Sequence, residues 1–298
     1  MTLTDKDRKE RCEMSSARTS GAAAAVVAVA VTAIVAASPA AYAADPGVKT
    51  LYVATTGEDN GNTCSAPSTP CRHLYYAIDE AAGYTGDAVT IVAAAGTYRE
   101  NDEIDTSSLA SLTIKAGQGT VTVEGVRRTQ ASVFTVSGST VVLDGLTITN
   151  GDTDTGGAID NAGGTVTLNS STVTGNTARG GAGIYNDGGT LTLNSSTISH
   201  NVTKFEVGEG GGVYNFGGNV TLTRSAVTDN TASYVGGGIY NNGGTMTVTD
   251  STVTGNSAAA TPGSGGGIYQ AAGTATTLTR TEGASHSPDD CAPAELCP

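Results

Sequence analysis

The chain has 298 residues, a formal net charge of −13, 41 glycines, no tryptophan and 14% charged residues. Glycine at about twice its usual share, with no period of three, disfavours a helical bundle and asks for many tight turns. Recurrent Val, Leu and Ile at low charge density argue against disorder, and an acidic chain whose only basic pair after residue 43 is Arg127–Arg128 excludes nucleic acid as a main partner.

In chain order, the first feature is an address label. Gly21 to Ala37 is an apolar run, followed by Ser38-Pro39-Ala40 and then Ala41-Tyr42-Ala43, the small-x-small pattern of a signal-peptidase site. Residues 1–43 are therefore read as a signal peptide cleaved before Ala44. The run is short for a membrane span and nothing later approaches about 20 apolar residues, so no span is expected in the mature chain. Asp5, Asp7, Glu10 and Glu13 are out of place in an n-region, whereas a start at Met14 leaves a compact one carrying Arg18. Without residues 1–43 the chain keeps 10 basic and 24 acidic residues, a net −14. It also keeps four cysteines. In an exported chain an even number reads as disulfides, and of the three connectivities the simplest pairs Cys64 with Cys71 and Cys291 with Cys297. Neither pair has zinc-ligand spacing. The expected location is extracellular.

Leu74, Ala77, Ile78 and Ala81 then recur at helical i, i+3, i+4, i+7 spacing, predicting a short helix with one apolar face within an N-terminal region, residues 44–88.

From residue 140 the chain repeats itself. TVTLNSSTVTGN (Thr165–Asn176), TLTLNSSTISHN (Thr190–Asn201), NVTLTRSAVTDN (Asn219–Asn230) and TMTVTDSTVTGN (Thr245–Asn256) follow a looser copy at Thr140. Each is followed by a second motif: GGAIDN ending at Asn161, GAGIYN at Asn186, GGGVYN at Asn215, GGGIYN at Asn241 and GGGIYQ at Gln270. Equivalent positions lie 25, 29, 26 and 29 residues apart, and the extra residues always fall between the first Asn and the glycines of the next motif. Within a copy the alternation has period two, which puts Val166, Leu168, Val173 and Ile184, and their equivalents in later copies, on one inward face. Three short strands and about four buried aliphatics per copy are too few to stand alone, but stacked coils make a continuous apolar column. The period predicts a parallel β-solenoid. Asn176, Asn201, Asn230 and Asn256, and again Asn161, Asn186, Asn215 and Asn241, would then stack as turn ladders, each amide donating and accepting.

The GGxI and [V/I]xxN motifs resemble the repeats of the polymorphic outer-membrane protein family, and more broadly the chain resembles the right-handed parallel β-helix proteins of the pectin-lyase-like superfamily. Its opening, LYVATTGEDNGNTC, PCRHLYYAIDEAA and TIVAAAGTYRE, is similar to that of many secreted β-helices, where a strand, a short helix and a GTY-containing coil close the N-terminal end. The resemblance covers residues 49–273 and implies an all-β, single-stranded right-handed parallel β-helix of about eight three-strand coils over 89–280, each about 25–29 residues, with an N-terminal capping helix and a tail at 281–298. It implies less about function, because this scaffold hosts lyases, hydrolases and adhesins.

Pectate-lyase-like chemistry needs calcium carboxylates and a basic group, and polygalacturonase-like chemistry needs clustered Asp residues beside GHG and RIK. The chain has neither motif, and its Asp289–Asp290 pair lies in the tail. The charges that remain for general acid–base work sit in the variable edge loops: Arg179, Lys204, Glu206 and Glu209. Asn150-x-Asp152-x-Asp154 alternates oxygen ligands like a calcium loop but lacks the Gly at six and Glu at twelve of an EF-hand, so calcium is a weak candidate and no other cofactor is expected. His73, His200 and His286 complete no nucleophilic set. Tyr185, Tyr214, Tyr240 and Tyr269 occupy one outward position in four consecutive coils. Such a row suits the apolar faces of sugar rings or a protein partner, and mutual stacking for stability is the simpler account. Asp160 takes the Tyr position in the preceding coil. Outward TxT pairs (Thr165/Thr167, Thr190/Thr192, Thr245/Thr247), interrupted by Asn219, resemble the ice-binding face of some solenoids. The expected function is a secreted, monomeric module that binds a polysaccharide or a cell-surface protein. A lyase or glycosidase acting through the loop edge is the alternative, and ice binding the remote one.

Overall fold

The computed structural model describes residues 48–126, 129–204, 206–259, 263–271, 274–280, 282–284 and 291–292. The signal-peptide segment with its alternative start at Met14, Arg127–Arg128, His286, Asp289–Asp290 and Cys297 lie outside the described residues. Among those described, the strands form three parallel sheets of nine, eight and eight strands and one two-stranded sheet. The chain is a parallel β-solenoid. One coil shows the pattern: Thr165–Asn169 lies in the first sheet, Thr172–Thr174 in the second and Ile184–Asp187 in the third, and each pairs in parallel with the equivalent strand one repeat later. The two-stranded sheet, Thr177–Ala178 with Val202–Thr203, lies in the variable segment.

Register explains the repeat. Val166 pairs with Leu191, Leu168 with Leu193, Val173 with Ile198 and Ile184 with Val213, so like stacks on like at about 4.8 Å per rung. All eight are fully buried, and they belong to one apolar column running from the N-terminal cap to Ile268 and Cys291. Fully burying one such aliphatic stabilises by about 1.5–3 kcal/mol, so the column as a whole, not any one coil, holds the fold.

The turns between strands use three ladders, two of which the sequence predicts. Asn176 Nδ2 donates to Asn201 Oδ1 at 2.9 Å, Asn201 to Asn230 at 2.9 Å and Asn230 to Asn256 at 3.0 Å, and each accepting oxygen also takes the backbone N–H of the Asn before it. The second ladder links Asn161, Asn186, Asn215 and Asn241 at 2.6, 2.8 and 2.8 Å, with each of the first three amides also closing onto a glycine carbonyl three residues on. The third is made of serines: the Ser171, Ser196 and Ser225 N–H groups donate to Ser196, Ser225 and Ser251 Oγ. It serves the turn in which Ser170, Ser195, Arg224 and Asp250 all adopt φ of 47–50°. That conformation is unfavourable for an L residue and is held by the bonds around it. The glycine motif has a different cause. Gly181 has φ 57°, and a Cβ there would sit 2.4 Å from the Ile184 carbonyl oxygen; at Gly183 it would sit 2.4 Å from the Gly212 oxygen of the next coil. Only glycine lets the backbones approach so closely.

The N-terminal end is closed by helix α1, Leu74–Ala82, whose buried residues are Leu74, Ala77, Ile78 and Ala81, the four the spacing predicts. Cys64 and Cys71 are joined by a disulfide. Cys291 is also disulfide-bonded. The helix has no side-chain cap of its own at His73. The Glu100 carboxylate in the first coil supplies one, accepting the Leu74 and Tyr75 N–H groups at 3.0 Å each, where the helix dipole favours negative charge. Asp102, two residues on, points into the column, where the next two coils place Phe134 and Ile159. Both its oxygens are buried, with the Glu100 carboxylate as their polar neighbour. Burial holds the Asp102 carboxyl well above its ordinary value of 3.8, and the charges of Glu100 and then Asp79 push the same way.

Two stability predictions follow from these contacts. Asn201→Ala removes the acceptor of the Asn176 backbone and side-chain donors, and should lower stability by about 2–4 kcal/mol in denaturant unfolding. For Asp102, the raised folded-state pKa means that its contribution is fully present below the unfolded carboxylate value and is lost as pH rises through the folded one. Asp102→Asn should therefore flatten the acid-to-neutral stability profile and leave the variant more stable than the parent at neutral pH, as read from melting curves across that range.

Candidate functional site

Strand alternation in the motif IYN turns Ile and Asn inward and Tyr outward. Parallel register then places Asp160, Tyr185, Tyr214, Tyr240 and Tyr269 in one file on the outer face of the third sheet. Adjacent tyrosine rings lie 5.1, 4.6 and 5.3 Å apart between centroids, edge-on, tilted and edge-on in turn. The file is outward, but it is not a row of bare rings. Tyr214 and Tyr240 are each 8% exposed and form a second small apolar cluster with Val235, which comes from the variable loop. Tyr185 and Tyr269 are half-buried against that cluster, and Phe216 (45%) and Tyr234 (50%) stand exposed. Mutual stacking is thus part of what the tyrosines do. The rings left open are those at the ends and flanks.

Carboxylates surround the Tyr185 end. Asp160 lies one rung before Tyr185, and Asp187 lies two residues beyond it on the same face of the same strand. The Glu209 backbone bridges Gly180 on one side and Val235 on the other. The Tyr214 hydroxyl donates to the Glu209 carboxylate and accepts from Asn242 Nδ2 at 3.0 Å. Burial pushes the Glu209 carboxyl up, opposed by that hydroxyl. Burial also pushes Asp160 up, opposed by the Thr155 hydroxyl donating to it at 2.7 Å and reinforced by Asp187. The phenols respond in kind: burial raises Tyr185, with Asp187, Asp160 and Glu209 adding, and burial followed by Glu209 takes Tyr240 to about 12. Tyr214 moves up for the same first reason.

The other candidates are placed as follows. The Lys204 ammonium pairs with the Asp152 carboxylate, so a proposed base and a proposed calcium ligand neutralise one another. Asn150 turns its amide to Glu124 at 2.6 Å, and Asp154 is exposed. Among the described residues no group of three His, Cys, Asp or Glu side chains is arranged to hold a metal ion. Glu206 is exposed. Arg179 is exposed as well, and its backbone joins Asp154 and Glu209 through bonds of 2.9 and 3.2 Å. Among these charged candidates, Glu209 reaches the tyrosines. On the first sheet Thr165 stacks on Thr190 and Thr167 on Thr192, and Thr245 Oγ1 donates to the interrupting Asn219. A comparable file, Thr147, Thr172 and Thr197, runs along the second sheet.

Sequence reasoning reached the tyrosines and Glu209 separately. It missed their meeting, together with Asp160 and Asp187. The available signal was that Asp160 occupies the tyrosine position and that Asp187 follows the IYN motif where later coils carry Phe216 and Asn242.

No protein-family model and no curated protein matches the chain. Among solved structures, the pectin methylesterase from Aspergillus niger is similar in two states of deglycosylation. One shows 14% identity and a TM-score of 0.44, the other 15% and 0.42, each over 81% of this chain and 88% of that one. Identity and score at this level bear on no residue of the site.

Because Tyr214 packs on both neighbours, Tyr214→Ala should lower stability by about 2–4 kcal/mol, while Tyr214→Phe, which keeps the ring, should cost about 1 kcal/mol or less. Thermal denaturation of the two variants separates a packing role from a purely surface one.

Proposed function

We propose that the protein is secreted, acts as a monomer and binds a polysaccharide chain along the outer face of the third sheet without cleaving it. The observation that carries this reading is the file of four tyrosines in register, flanked by exposed Phe216 and Tyr234. Aromatic faces suit the apolar C–H surfaces of sugar rings. The open rings at the ends and flanks of the file, Tyr185, Tyr269, Phe216 and Tyr234, offer a polymer contacts spaced along the face. The Cys64–Cys71 disulfide supports an oxidising, extracellular setting.

A second reading draws on Glu209 and Asp160. Carboxyls pushed upward by burial are what a general acid needs, and a lyase or glycosidase would use them at the loop edge. Incubating the mature protein with neutral and acidic polysaccharides, with and without calcium, and sizing the chains afterwards separates the two. The expected result is co-elution without shortening in at least one case. Tyr185→Ala and Tyr269→Ala, at the open ends of the file, should each weaken binding by about tenfold, equivalent to about 1.4 kcal/mol. Shortened chains would establish an enzyme instead.

A further inference from the structure

Resting on the reading above, we infer that the glycan bound on this face carries positive charge: it is a polymer of amino sugars with free amines, held with its ammonium groups among Asp160, Asp187, Glu209 and the tyrosine rings. Three observations converge on that chemistry.

The first is the arrangement around Tyr185. One carboxylate precedes it in the file, one lies beside it on its own strand, and a third comes in from the variable loop. All three charges raise the Tyr185 phenol, in keeping with that placement. The second is the absence of a counterion. The ion pairs among the described residues are His73–Asp59, Arg99–Glu124, Lys204–Asp152 and Arg280–Asp250, and none involves these three acids. Elsewhere among the described residues Arg99, Lys204 and Arg280 each neutralise an acid. Here the acids hold only neutral partners, the Thr155 hydroxyl on Asp160 and the Tyr214 hydroxyl on Glu209. The third is the aromatic surface itself. A cation over a tyrosine face is attracted by the ring quadrupole, and partly desolvated carboxylates strengthen that attraction. Together they make a surface that repels a uronate chain and favours an ammonium-bearing one, and the chain's net charge of −13 reinforces the preference.

The ring file also selects a polymer over a single cation. Tyr240 and Tyr269 continue beyond Tyr185 and Tyr214, away from Asp160 and Asp187, so a sugar chain anchored by an amine at the acidic end can run on toward the open Tyr269 end.

The test compares the mature protein's binding to polyglucosamine, to the same polymer after complete N-acetylation, to polygalacturonate and to polylysine, at mildly acidic pH and at two salt concentrations. The inference expects polyglucosamine to bind at least tenfold more tightly than its N-acetylated form, with the difference shrinking in high salt. Asp187→Asn and Glu209→Gln should erase that preference, while Tyr185→Ala weakens both forms. Equal binding of the two polymers, or a preference for polygalacturonate, would overturn the charge inference and leave the glycan reading standing. Polylysine binding with no glycan bound would overturn both and mark a basic-protein surface. No binding to any of the four would also overturn both.

Discussion

Everything in this molecule depends on parallel register between coils. A rung can pair its backbone with the next only if both place equivalent residues at equivalent heights, so each inward position must be filled by a side chain that tolerates its own kind above and below. Val, Leu and Ile satisfy this in the column and Asn and Ser in the turns. The variable segments satisfy it by stepping outside: their extra residues bulge at one edge and leave the strands before and after in register. The close approach at the glycines is the same constraint seen at the backbone, where a Cβ would hold the coils apart.

A stack has ends, and the ladders show where they are. Asn161 Oδ1 lacks a partner because the preceding coil has Val136 at the ladder position, and Gln270 Oε1 lacks one where glutamine replaces the next asparagine. At the N-terminal end the apolar column is closed by α1, and the closure is polar at its hinge. Glu100 holds the helix start, with Asp102 buried beside it. A buried carboxyl in place of another aliphatic is a departure from the rule that governs the rest of the column, and it ties the end of the solenoid to proton concentration.

The outer face follows from the inner one. Once Ile and Asn of the IYN motif are committed inward, the residue between them is free to vary without disturbing the stack. Four coils place tyrosine there and one places aspartate. Loop residues complete the surface: Val235 covers two rings, and Glu209 bonds a third-sheet hydroxyl. Periodic strands thus supply the platform, and the non-periodic edge decides which rings stay open and what charge surrounds them.

The β-solenoid, its inward aliphatics, both asparagine ladders, the apolar face of α1 and the Cys64–Cys71 pair were legible in the amino-acid sequence, because each follows from local alternation multiplied by a period. The serine ladder was hidden, since a serine in the turn between two Thr-rich strands looks like ordinary filler until its neighbour's N–H is seen bonded to it. The partial burial of the tyrosines, the Lys204–Asp152 pair and the gathering of Asp160, Asp187 and Glu209 were decided by the tertiary structure alone. The physical reason is that the repeat period specifies which residues share a height and a face. How a loop of irregular length folds back over that face depends on contacts between residues with no fixed spacing in the chain.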